Sequence, residues 1–171
     1  MVPRRHRVLE VNKRFVGALL CVAAVGCATP RPSNPDEGRE VVRTVERLFE
    51  GMRTQDTAVL RALLAPELIF VSARDTAGHW RVTQYTAREF LTRMAEPVDT
   101  STQFRERMWK PEVRIDGAIA TLWTPYDFHV GARFSHCGYD AFQLARGERG
   151  WYITAITYTV RPTPCSAPPV R

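Results

Sequence analysis

The chain has 171 residues, of which 44% are hydrophobic, with four cysteines and 24 basic against 18 acidic groups. That length suits one domain with a single core. The net charge of +6 is concentrated at the front: residues 1–26 hold five basic groups against Glu10, and the remainder holds 19 against 17. A main body so nearly balanced excludes an electrostatic case for nucleic-acid binding.

Arg4, Arg5, Arg7, Lys13 and Arg14 precede the apolar run Phe15 to Gly26, and Cys27 follows. A membrane-crossing helix needs roughly 20 apolar residues. The shorter run has the layout of a secretory signal over residues 1–26. Ala24-Val25-Gly26-Cys27 resembles a bacterial lipobox, which implies lipidation of Cys27 and a membrane anchor facing the periplasm, on the outer membrane in preference to the inner. Residues 27–35 are rich in Pro and read as a tether. Removing the leader and acylating Cys27 leaves Cys137 and Cys165, an even pair in an oxidising compartment. A disulfide between them requires the chain to fold back after Pro162 and Pro164, and two unpaired thiols are the alternative.

The domain proper is expected over 36–161. Asn34 and Pro35 start a helix in which Val41, Val42, Val45, Leu48, Phe49 and Met52 form one apolar stripe. The Thr54-Gln55-Asp56 turn leads to a second helix, Thr57 to Leu64, stopped by Pro66. Strands follow at Leu68 to Ser72 and Trp80 to Thr83 around an Ala77-Gly78 turn, then a third helix, Ala87 to Ala95, opened by Thr86. A strand from Gln103 through Ile115 is interrupted by Pro111, and Asp116-Gly117 makes a tight turn. Ile119 to Val130, Phe134 to Arg146 and Trp151 to Arg161 complete an antiparallel meander, and residues 162–171 form an irregular tail. Helices followed by long strands imply an α+β fold: a strongly curved antiparallel sheet whose concave face three helices cover, leaving an internal cavity.

If Gly131 lies in a two-residue turn, Asp127 falls beside His136, and Trp123, Phe134, Phe142 and Leu144 share their face with Asp140. With a four-residue loop at Gly147 to Gly150, Trp151, Ile153, Ala155 and Thr157 join them. An apolar wall with a few convergent polar groups suits a small apolar or aromatic ligand. The expected ligand contacts are Trp80, Trp109, Trp123, His136, Asp140 and Phe142, with Tyr85 also near the mouth. His136 beside Asp127 has the make-up of a general base, and Asp140 among aromatic residues has that of a desolvated proton-transfer group. Both pairings equally suit satisfied structural roles. Tyr126, Tyr139 and Tyr158 fall on the opposite face, where a second copy could pack as a homodimer. His129, His136 and Asp127 lack the spacing of a metal site, no nucleotide loop or nucleophile motif is present, and no cofactor is expected.

The helix bearing Val41 to Met52, the Thr54-Gln55-Asp56 turn, the Leu-Leu-Ala-Pro-Glu step at 63–67 and the closing Gly150-Trp151-Tyr152-Ile153 strand resemble the NTF2-like superfamily. Within it the chain is most similar to the SnoaL-like and lumazine-binding-like group. The resemblance implies a cone-shaped α+β domain with a pocket, often dimeric through its sheet. Members include isomerases, cyclases, dehydratases and proteins that only bind. Ketosteroid isomerases of this fold use an Asp base facing a Tyr and a protonated Asp, three positions this sequence does not match, so no catalytic residue is carried over. The expectation is a lipid-anchored ligand-binding domain. An isomerase or dehydratase using Asp140 or His136, or a dimeric module with a vestigial pocket, are the alternatives.

Overall fold

The computed structural model describes residues 35–162, apart from 98, 100 and 101, together with Cys165. The leader, Cys27, the tether up to Asn34 and most of the tail lie outside the described residues. α1 (Pro35–Thr54) buries Val41, Val45, Leu48 and Phe49, the face that their spacing dictates. Gln55 turns the chain with a positive φ of 53°. Asp56 then caps α2 (Thr57–Leu63) by accepting from the Ala58 and Val59 amides at 3.0 Å. α3 (Ala87–Met94) begins in a capping box: Thr86 Oγ1 accepts from the Glu89 amide, and Glu89 accepts from that of Thr86.

The strands are β1 (Leu64–Thr76), β2 (His79–Thr86), β3 (Phe104–Met108), β4 (Glu112–Asp116), β5 (Ile119–Val130), β6 (Arg133–Gly147) and β7 (Gly150–Val160). They form one curved, unclosed sheet in the order β2-β1-β7-β6-β5-β3, with β4 also pairing β5. The sheet is mixed and not purely antiparallel, because β1 runs parallel to β7. The whole meander separates these two strands, so no tight hairpin dictates their direction. The strand expected from Gln103 to Ile115 breaks at Lys110 (φ 50°) and Pro111, and its halves pair successive stretches of β5. All three helices contribute to one core with Phe70, Leu122, Phe142, Leu144, Ile153 and Ile156 from the sheet.

Two single-residue bulges decide which side chains face that core. The Gly131-Ala132 turn closes as its sequence predicts, with Val130 opposite Arg133 and His129 opposite Phe134, but the next pair is Phe128 with His136. Ser135 is the extra residue, and beyond it every side chain on β6 changes face relative to β5. Asp127 therefore lies opposite Cys137 and not beside His136. A second bulge follows the β6–β7 turn: Leu144 pairs with Ile153 and Gln143 with Ala155, leaving Thr154 extra, its hydroxyl donating to the Gln143 carbonyl at 3.1 Å. Ile156 and Tyr158 turn inward in place of Ala155 and Thr157.

At the far end of β6, Cys137 is joined to Cys165 with 6.0 Å between Cα atoms, and the Cys137 and Arg161 backbones exchange two hydrogen bonds. Gly138 permits the adjoining contact. Tyr126 packs opposite it and donates its hydroxyl to the Thr159 carbonyl at 2.8 Å. A Cβ at position 138 would overlap that same backbone carbonyl.

Candidate functional site

Between the helices and the concave face lies a cavity of about 390 Å³, within the size range of small-molecule sites. α1 contributes Phe49 and Met52, and α3 contributes Phe90 and Arg93. Phe70, Ser72, Arg74, Thr83 and Tyr85 come from β1 and β2, and Glu106 comes from β3. The meander supplies Tyr126, Phe128, His136, Asp140, Phe142, Ile156 and Tyr158.

Of the residues expected to touch a ligand, His136, Asp140 and Phe142 line this space, as does Tyr85. The three tryptophans do not. Trp123 is 48% exposed on the convex face, stacked on Tyr139 at 5.1 Å between ring centres, because the Ser135 bulge reverses its expected side. Trp80 is half exposed on the outward side of β2, under the Arg161 guanidinium. Trp109 occupies the break between β3 and β4, where its carbonyl accepts from the Thr124 hydroxyl. The three tyrosines assigned to one outer face are likewise divided: Tyr126 and Tyr158 face the cavity, and Tyr139 faces outward.

The expected His136–Asp127 couple is replaced by two separate environments. Asp127 is buried and forms a bidentate pair with Arg107, whose Nε lies 2.9 Å from Oδ1, while His129 Nδ1 is 3.7 Å away. His129 thus packs beside Phe134, and desolvation holds its pKa down. Phe134 leaves the predicted concave wall for this contact. No group of three or more potential metal ligands gathers among the described residues.

On the cavity side, His136 stacks on Phe128 at 4.9 Å and meets Tyr126 edge-on, with Nδ1 3.0 Å from the Ser135 hydroxyl. Burial, followed by the positive charge of Arg74, lowers its pKa to about 4. At neutral pH this imidazole is uncharged.

Glu106 is the residue that sequence reasoning missed. It stands opposite Phe128 on β3, between inward-facing Phe104 and Met108, and interacts directly with Asp140. The alternation Phe-Arg-Glu-Arg-Met held the available signal, since it places a lone carboxylate between two apolar side chains on one face. Protein surrounds both carboxyls although Glu106 keeps part of its surface open to the cavity, and no Lys or Arg forms a salt bridge with either among the described residues. Desolvation pushes Glu106 up to about 7, against the lowering effect of its bond with Asp140. Burial and then the Glu106 charge raise Asp140 well above the carboxylate range. Asp140 Oδ2 is buried and meets no N–H or hydroxyl donor among the described residues, while the Asp140 side chain is hydrogen-bonded to Glu106. The pair is coherent if the two share one proton, because adjacent buried carboxylates cannot both ionise. Tyr85 and Tyr158 complete the polar wall with a 2.9 Å hydroxyl contact, and burial keeps the Tyr85 and Tyr126 phenols protonated.

Three helices over the concave side of a curved sheet, enclosing an aromatic cavity with a few buried polar groups, define a cone-shaped α+β domain. No protein-family model matches the chain, and no curated protein matches it. Solved structures do. An NTF2-like protein of unknown function from Shewanella baltica aligns over 78% of this chain and 100% of its own, at 15% identity and a TM-score of 0.57. A protein with a cystatin-like fold from Nostoc punctiforme aligns over 76% and 95%, at 13% identity and 0.59. A candidate dehydratase of the NTF2-like family from Streptomyces avermitilis aligns over 75% and 99%, at 15% identity and 0.56. The chain has the NTF2-like, or cystatin-like, fold.

Proposed function

We propose that this domain holds a small, largely apolar or aromatic molecule in its cavity. The observation that carries this reading is the cavity itself: 390 Å³ lined by Phe49, Phe70, Phe90, Phe128 and Phe142, with the Glu106–Asp140 pair among the few polar groups in its wall. A thermal-shift series on the full chain with riboflavin, a phenolic steroid and an anthraquinone tests it. Stabilisation by at least one compound that is lost in Phe142→Ala supports the reading. No stabilisation by any of them overturns it.

A proton-transfer enzyme is the second reading, favoured by a carboxyl pair that exchanges its proton near neutral pH in the same cavity as an uncharged imidazole. The Streptomyces neighbour named for dehydratase chemistry is consistent with it. 5-Nitrobenzisoxazole probes the capacity directly: a carboxylate takes the ring C–H proton as the N–O bond breaks, releasing a coloured nitrile phenolate. Catalysis rising through about pH 7 and lost in Glu106→Gln/Asp140→Asn supports this reading, and equal rates in both proteins remove it. Export and anchoring through Cys27 belong to the same proposal and rest on the leader sequence; palmitate labelling abolished by Cys27→Ser is the result expected.

A further inference from the structure

All three helices pack on the concave side of the sheet, and no described element covers the convex one. The large hydrophobic side chains that stand exposed are Ile69, Trp80, Val82, Ile119, Trp123 and Tyr139. Phe70, Tyr85, Tyr126 and Phe142 point into the cavity from β1, β2, β5 and β6, so alternation along each strand turns all six onto the convex face. Single exposed hydrophobics are ordinary on a soluble domain. A set of them gathered on one face marks an interaction surface.

Two cross-strand rows make the centre of that face, Ile69–Ala155–Gln143–Thr121 and Val71–Thr157–Ala141–Trp123. Neither row contains a charged residue, so the centre offers nothing to a phosphate or an acidic peptide. Charge begins at the margin, where β4 sets Glu112 opposite Trp123 and Arg114 opposite Thr121. An uncharged centre inside a polar rim is the layout of a protein–protein interface. The six strands from β2 to β4, taken over the length Ile119 to Pro125, span roughly 29 by 23 Å. That projection of about 670 Å², enlarged by side-chain relief, matches the roughly 800 Å² that each partner of a stable dimer buries.

The same face carries both a protrusion and a recess. Trp123 and Tyr139 stack on each other and stand exposed. Around Ile119 lies a groove of about 500 Å³, wide enough for an indole, with Arg114, Thr121, Gln143 and Thr154 along its sides. Trp123 and Ile119 are four residues apart on β5, which places protrusion and recess roughly 13 Å from each other. A two-fold axis running across the strands near Thr121 superposes the protrusion of one copy on the recess of the other, the self-complementarity that a two-fold interface demands. We infer that this face joins two copies of the chain into a symmetric dimer, the Trp123–Tyr139 ring pair of each copy entering the groove beside Ile119 of the other. The contact thus differs from the expected tyrosine face, because Tyr126 and Tyr158 are turned into the cavity.

Sedimentation equilibrium of the full chain, with cross-linking beside it, is the test. The wild type should be a dimer with a dissociation constant of about 10 µM or below. Ile119→Glu/Trp123→Glu should weaken association at least about tenfold, since a carboxylate buried in the contact loses its water without gaining a partner. Both positions are exposed in the single copy, so the far-ultraviolet circular dichroism of the variant should match the wild type. Thr121→Cys, next to the axis, should be joined into dimers by a short bismaleimide, whereas Ala62→Cys, exposed on α2, should give no more than the wild type does. A wild type that stays monomeric at roughly 100 µM overturns the inference. So does a double variant that associates as tightly as the wild type, or cross-linking through position 62 equal to that through position 121.

Discussion

Replacing Glu106 with Gln should make the protein more stable in mild alkali, although it alters a buried polar group. An unfolded Glu carboxyl titrates near 4.5, whereas burial beside Asp140 raises the folded one to about 7. Below pH 4.5 both states are protonated and the group contributes nothing. Between 4.5 and 7 the unfolded chain releases its proton first, so each pH unit removes about 1.4 kcal/mol of stability. Above pH 7 the loss levels off at about 3 kcal/mol, a figure that belongs to the pair as a whole. Gln has nearly the same shape and no charge, and its amide can donate to Asp140 in place of the shared proton. Urea denaturation of both proteins at pH 4, 5.5, 7 and 8.5 measures the effect. The variant should match the wild type at pH 4 and exceed it by about 1–3 kcal/mol at pH 8.5. A variant equally destabilised at all four values would refute the shared-proton arrangement.

His136 has the opposite sign. It stays neutral in the folded state down to about pH 4, while the unfolded imidazole protonates near 6.5, so stability falls on acidification through that interval. In NMR titrations its ring protons should stay flat above pH 5, and a midpoint near 6.5 would show that the ring is solvated. Reducing the Cys137–Cys165 bridge, or making Cys165→Ser, frees a loop with a sequence separation of 28 and should remove about 3 kcal/mol in chemical denaturation. An unchanged midpoint after reduction would mean that the tail is not held there. Gly138→Ala forces a methyl into the Thr159 carbonyl and to 2.6 Å from its hydroxyl oxygen, and should cost about 3 kcal/mol or more in the same assay. A loss below about 0.5 kcal/mol would contradict the close approach of β6 and β7 there.

Local interactions made much of this molecule legible in its sequence. The stripe from Val41 to Phe49, the Thr54-Gln55-Asp56 turn, the Thr86 cap and the turns at Ala77-Gly78 and Gly131-Ala132 depend on neighbours a few residues apart, and they stand where their spacing places them. So does the cavity's mixed lining of aromatic and ionisable groups, though with different members. Which members was a tertiary decision. Strand alternation has a period of two, so one extra residue at Ser135 and another at Thr154 exchanged Trp123 for Tyr126 and Thr157 for Tyr158. Both faces carry aromatic side chains, so hydrophobic pattern alone does not register the slip. Partnership across distant strands was equally invisible: Glu106 and Asp140 meet only because β3 and β6 flank β5. Their shared proton arises from that encounter: burial alone would raise either carboxyl, but only two adjacent ones can hold a single proton between them.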